Sequence, residues 1–241
     1  MSRTAVIVPA AGRGERLGPG APKALRELGG VPILVHAVLA LASARSVDLV
    51  VVAAPEGGVA EVTALLRDHG LLDSVPGRAG AFVVAGGDTR QASVARALHA
   101  LPADVDVVLV HDAARPLVPS SLVDAVAGAV RAGADAVVPG LPMSDTVKAV
   151  DDDEVVIATL DRGRLRAIQT PQGFRRETLT AAHAAADPDA PATDDAGLVE
   201  SNGGSVVVVP GDEEAFKVTR PIDLVLAEAV LARRRAAGVV G

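Results

Sequence analysis

The chain has no cysteine, no tryptophan and no tyrosine, and only three phenylalanines. Without cysteine there are no disulfides, thiolate nucleophiles or cysteine metal sites, which suits a reducing compartment. So few aromatic rings leave no stacking platform for single-stranded nucleic acid, and Ala, Val and Leu must fill the interior. Basic residues are in deficit as well: 23 Lys and Arg face 30 Asp and Glu, a formal charge of −7. Such a surface as a whole repels a polyanion, so no nucleic-acid partner is expected, although small anions suit any local cluster of cations. Long apolar runs are missing too. The opening "MSRTAVIVP" is too short for a secretory signal, and no run approaches about 20 apolar residues, so a soluble cytoplasmic protein is expected.

What is present is a hydrophobic fraction of 49% over 241 residues, ample for a large core. Short β-branched runs at 4–9, 47–54, 81–86, 105–112 and 134–140 read as strands that are apolar on both faces. This pattern belongs to a parallel sheet covered on both sides. Helical spacing fills the gaps at 32–44, 58–70, 90–101 and 120–133. The alternation predicts a doubly wound, mostly parallel, Rossmann-like α/β fold with ligands beyond the carboxyl ends of its strands. The rhythm then changes. Residues 145–161 read as a β-hairpin around the acidic turn Asp151 to Glu154, and a projecting apolar hairpin commonly pairs with a second subunit. Helices over 174–186 and 194–203, a strand over 205–210 and a closing helix from Pro221 complete the reading. One domain spans 1–241, with 143–170 as an arm within it.

The loop after the first strand, "PAAGRGERLGPGAPKAL", carries Gly12, Gly14, Arg16 and Lys23. It is not a Walker A loop, because Pro22 precedes Lys23 and Ala24 follows it. Nor is it a dinucleotide fingerprint, because Leu17 stands where the third glycine belongs. Two readings stay open: a solvated surface loop, or a turn whose amides and cations hold a phosphate. Its place after the first strand favours the second. Three more segments fall on the same rim. "HDAARP" offers Asp112 as a helix cap or as one half of a functional pair with Arg115. "GGDTRQASV" offers Gly86, Gly87 and Ser93, or a plain helix start capped near Asp88, and "FKVTRP" sets Lys217 and Arg220 before the last helix. The five histidines show no metal-ligand spacing, and there is no G-x-S-x-G elbow.

Taken together, "PAAGRGERLG…PKAL", "GGDTRQASV", "VHDAARPLV", "DTVK", "TPQGF", "TDDAG" and "FKVTRP" resemble the 2-C-methyl-D-erythritol 4-phosphate cytidylyltransferase family, within the sugar-nucleotidyltransferase-like α/β enzymes. The likeness runs from the first strand to the last helix. It implies transfer of the cytidylyl group of CTP to 2-C-methyl-D-erythritol 4-phosphate in non-mevalonate isoprenoid biosynthesis. Mg²⁺ is implied, held mainly by the CTP phosphates, with Asp112 the best candidate for a protein ligand. So is a homodimer. By the same resemblance Arg16 and Lys23 stabilise the transition state, while Arg162 and Lys217 position the acceptor phosphate. Ala10, Ala11, Gly12, Gly14, Gly87, Asp88 and Ser93 meet the nucleotide. Asp112, Ala113 and Arg115 lie near nucleotide and acceptor, and Thr146 and Thr170 belong to the acceptor side.

The chain departs from that pattern at Ala215, where relatives often carry Asn, and at Gln91 and Ala92, where they often carry an acid. Two other readings compete: a cytidylyltransferase for another polyol phosphate such as ribitol 5-phosphate, and a non-catalytic nucleotide-binding protein on the same fold.

Overall fold

The computed structural model describes residues 2–11, 23–187 and 192–238. Its spine is an eight-stranded sheet. Four parallel strands form one half: β1 (Arg3–Pro9), β4 (Leu49–Ala54), β5 (Gly80–Ala85) and β6 (Val105–Val110). The other half holds β7 (Ala136–Pro142), β10 (Arg166–Ile168), β11 (Gln172–Arg175) and β12 (Val206–Pro210). The order is β10-β7-β11-β6-β1-β4-β5, with β12 also paired to β7. A small ribbon of β2 (Glu27–Leu28) and β3 (Val31–Pro32) stands apart.

The strands lack polar alternation because both faces are covered. Along β1, Val6 and Val8 join one core with Leu34, Val52, Leu109 and Val126, while Ala5 and Ile7 join another with Val94, Val108, Phe174 and Leu179. The first core is closed by α1 (Ile33–Ala42), α2 (Val59–Asp68) and α4 (Ser120–Arg131), the second by α3 (Arg90–His99), α5 (Arg176–Ala185) and α6 (Asp195–Ser201). The last helix, α7 (Pro221–Ala236), packs through Ala227 on a third cluster with Leu28, Ile33, Leu117 and Val218. Fully burying one Val or Leu contributes about 1.5–3 kcal/mol, so an aliphatic interior suffices without aromatic rings.

The expected strands and helices appear with ends shifted by a few residues, and Pro221 does open the last helix. Four strands were not expected: the short β2–β3 ribbon and two strands of the main sheet. β11 runs antiparallel between β6 and β7, and β10 runs antiparallel to the end of β7. Their short runs, "RAI" and "QGFR", carry too little periodicity to read. Packing explains the glycine in β11: a Cβ at Gly173 would lie 2.6 Å from Val126 Cγ1, so the close approach of α4 leaves no room for a side chain. The hairpin is present as β8 (Val147–Val150) and β9 (Val156–Leu160), joined by a turn in which Asp151 Oδ1 accepts the amides of Asp153 and Val155.

Candidate active site

Three strand ends converge on one rim. The amide of Ala10 bonds Ala53 O, that of Gly86 bonds Ala54 O, and that of His111 bonds Ile7 O. The chain therefore leaves β1, β5 and β6 along one edge of the sheet, and a cleft of about 240 Å³ opens above them. Of the expected residues, Ala10, Ala11, Gly87, Asp88, Ser93, Asp112, Ala113 and Lys217 line it. Gly12, Gly14 and Arg16 lie outside the described residues, as does the side chain of Lys23, whose backbone opens a 3₁₀ turn over Lys23–Leu25.

At the centre is Asp112. Its Oδ2 is 2.7 Å from Lys217 Nζ and its Oδ1 is 3.3 Å from Arg90 Nε. Burial alone would raise this carboxyl, but Arg90 and Lys217 outweigh it and hold it well below the usual carboxylate range. Arg90 also reaches Asp195, Nη1 to Oδ2 at 2.6 Å, and the other oxygen of Asp195 meets His183 Nε2 at 2.9 Å. Asp195 is 1% exposed, and its carboxyl is likewise lowered: burial pushes it up, while the His183 hydrogen bond and Arg90 prevail. A continuous line of charge-assisted bonds thus runs His183–Asp195–Arg90–Asp112–Lys217. Arg90, Asp195 and His183 received no role from sequence reasoning. The signal was within "GGDTRQASV" and "TDDAG", but nothing in the spacing pairs residues 105 positions apart.

Lys217 owes its position to backbone bonds. The amide of Val218 donates to Ala114 O at 2.8 Å, joining its segment to the loop that carries Asp112. Asp223, in the first turn of α7, accepts from the amides of Thr219 and Arg220 and from the Thr219 hydroxyl. The buried Ala215 leaves its carbonyl to Arg115 Nη1 at 2.6 Å, so a main-chain bond anchors the segment where an Asn is absent.

Several expectations are corrected here. Arg115 does not pair with Asp112 through its side chain: its guanidinium is buried and donates to Ala215 O and Ile168 O. It braces the loops and does not line the cleft. Asp112 caps no helix, because α4 begins only at Ser120. The cap of α3 is Thr89, not Asp88; its hydroxyl accepts the amide of Ala92. Ser93 is fully buried and its hydroxyl serves the turn, accepting from Gly87 N and donating to Thr89 O. Gly87 fits the turn because a Cβ there would lie 2.5 Å from Ala92 Cβ.

Thr170 is buried beneath the rim. Its hydroxyl oxygen accepts the amide of Asp112 at 3.0 Å and lies 3.2 Å from His111 Nδ1, while His111 Nε2 is 3.1 Å from Arg115 O. A neutral ring donating from Nε2 and accepting at Nδ1 satisfies all three partners. Burial pushes His111 down to about 4, against the opposing pull of the Arg115 carbonyl and Asp112, so it stays neutral near pH 7 and supports the Asp112 turn. Arg162 and Thr146 are elsewhere. Both are exposed beside the hairpin, and Arg162 donates to Ser144 O. The chain does not bring them to its own cleft.

Among the described residues no group of three or more His, Cys, Asp or Glu could cage a metal ion, and no helix is long and apolar enough to cross a membrane. The model of the 2-C-methyl-D-erythritol 4-phosphate cytidylyltransferase family matches residues 4–233. The chain is 61% identical over 240 residues to the protein of that name from Streptomyces avermitilis, covering 97% of this chain and 94% of the relative. It is 58% identical to that from Frankia casuarinae, covering 96% and 82%. Among solved structures it resembles the 2-C-methyl-D-erythritol 4-phosphate cytidylyltransferase of Thermus thermophilus, with TM-score 0.73, 39% identity and coverage of 95% and 98%. The 4-diphosphocytidyl-2C-methyl-D-erythritol synthase of Anaerococcus prevotii gives TM-score 0.80 at 27% identity, covering 96% and 99%.

Proposed function

This chain belongs to the 2-C-methyl-D-erythritol 4-phosphate cytidylyltransferase family, and from that premise we propose how its residues divide the work. The reaction joins CTP to 2-C-methyl-D-erythritol 4-phosphate, releasing pyrophosphate. An acceptor phosphate oxygen forms a bond to the α-phosphorus as the bond to the pyrophosphate oxygen breaks. That phosphate is largely dianionic near neutral pH, since its second pKa is about 6, so no general base is required. The obstacle is crowding of negative oxygens, and fixed cations answer it.

In this reading Ala10, Ala11, Gly87 and Asp88 hold the nucleoside, with Gly12 and Gly14 continuing the cradle. Arg16 and Lys23 carry charge on the triphosphate side. Lys217 meets the acceptor phosphate, aimed by Asp112, which Arg90 keeps in place. The observation that best supports the proposal is this Lys217–Asp112–Arg90 array over the ends of β1, β5 and β6. Asp112 is an ionised hard-oxygen donor in the cleft, which fits Mg²⁺ bound by one carboxylate and substrate phosphates. When bound, the ion would neutralise phosphate charge.

Arg162 and Thr146 reach a site only if a second subunit supplies them. The arm favours that arrangement: Val155, Val156 and Ile157 are 58%, 53% and 65% exposed, and Ile168, Val207 and Val208 on nearby strands are exposed as well. We therefore assign a homodimer in which the 143–170 arm completes the partner's acceptor site. A cytoplasmic location suits an enzyme that consumes CTP. The test is pyrophosphate release from each nucleoside triphosphate offered with a panel of polyol phosphates. CTP with methylerythritol phosphate should lead by a wide margin, and a preference for ribitol 5-phosphate would refute the assignment.

A further inference from the structure

A second concavity, of about 410 Å³, lies between α1, the end of α2 and the last turns of α7, and it shares no lining residue with the nucleotide cleft. Its size falls within the range of small-molecule sites. One part is aliphatic: Val35, Leu39, Leu71, Leu117 and Leu231. The rest is basic, with the guanidinium groups of Arg78, Arg234 and Arg235 beside His36 and His69, and no acid among the lining residues. In a chain of net charge −7 that local excess stands out.

Two of these cations have unmet bonding capacity. Arg78 donates from Nη2 to Gly70 O, yet its Nε is buried with no partner. Arg235 forms no salt bridge among the described residues, whereas its neighbours Arg233 and Arg234 both bind Glu214. His36 donates from Nε2 to Leu28 O, and His69 Nδ1 is tied to Leu65 O. Burial holds His36 below its ordinary value against the pull of the Leu28 carbonyl, and Arg235 and His69 press it lower.

We propose that this groove binds a small amphipathic anion, an aliphatic body bearing one phosphate monoester. The body lies on Val35, Leu39 and Leu231, and the phosphate lies against Arg78 and Arg235. Guanidinium groups suit a phosphate through paired N–H donors, and two of them match its double charge.

Calorimetric titration tests this with octyl phosphate below its micelle-forming concentration, with the cytidylylated product saturating so that the nucleotide and acceptor positions of the first cleft are both filled. Octanol, inorganic phosphate and octanoate form separate arms. Octyl phosphate should bind once per chain, about 10-fold or more tighter than any of the three. Arg78→Gln combined with Arg235→Gln should weaken it about 10-fold or more, while turnover and melting temperature stay near wild type. Arg235→Gln alone, on the exposed side chain, should weaken it several-fold. Unchanged affinity in these variants overturns the proposal. So does equal binding of octanol, which removes the charge requirement, of inorganic phosphate, which removes the apolar one, or of octanoate, which removes the preference for phosphate.

Discussion

At the rim, Asp112 is held between Arg90 and Lys217, and the buried Asp195 between Arg90 and His183. Along the arm, Ile157 and Val155 are mostly exposed and the Arg162 guanidinium donates to the Ser144 carbonyl. One region is organised within a single chain; the other carries apolar and cationic groups that the chain does not use. Charges fixed by partners before substrate arrives need no reorganisation during reaction. An apolar arm left bare is a liability unless another surface covers it. Under the proposed assignment the two regions differ in what they need: the nucleotide half requires correct folding, and the acceptor half requires a neighbour.

The largest effect should come from the cations assigned to the two reacting phosphate groups. Lys23→Ala is expected to lower turnover by about 10²-fold or more, as for other lost charge stabilisers, and Lys217→Ala by a similar factor. Pyrophosphate release at saturating substrates checks both, and near-normal turnover would remove the residue from its role. Next comes the arm. Ile157→Asp should shift the dimer to monomer in analytical ultracentrifugation and reduce activity in proportion to the dimer lost. A fully active monomer would show that the acceptor half needs no neighbour.

Arg90→Ala should act within one chain. It leaves Asp195 buried with His183 alone, and breaking such a buried arrangement costs about 3 kcal/mol in unfolding experiments. It also frees Asp112, so kcat/KM should fall more than stability predicts, with Arg90→Lys restoring part of it. If only stability changed, Arg90 would be structural and the rim less coupled than described.

The effect furthest from turnover is a pH dependence of stability. His111 titrates at about 4 in the folded chain against 6.5 when exposed. Between those values the unfolded chain binds the extra proton, so stability rises with pH through this window and is fully present above about 6.5. Acidification from there to about 4 should remove on the order of 3 kcal/mol, a slope that His111→Gln should flatten. Asp112 and Asp195, lowered by their partners, contribute stability that persists until the pH falls below the usual carboxylate range. An equal slope in the variant would assign the pH response to other groups.

The parts legible in the sequence were those with local periodicity or local punctuation. β1 and β6 announced themselves as apolar runs, Pro221 marked a helix start, and Asp151 to Glu154 marked a turn. The antiparallel β10 and β11 were invisible because three or four residues carry no period and their pairing is set by distant strands. The same limit applies to the site. Lys217 and Asp112 could be placed on one rim by topology, but their direct pairing, and the link through Arg90 to Asp195, arise from folding. Arg115 shows the converse: proximity in sequence suggested a pair with Asp112, whereas its guanidinium turns inward to two carbonyls.

Mixing two inactive variants examines the division between the regions most directly. Lys23→Ala is damaged at the triphosphate and Arg162→Ala at the arm. If the arm serves the neighbouring site, random exchange of subunits at equal concentration restores about one quarter of wild-type activity, because half the dimers are mixed and each contains one intact site. Activity no higher than the average of the two parents after complete exchange would place Arg162 in its own chain's site and contradict the shared architecture.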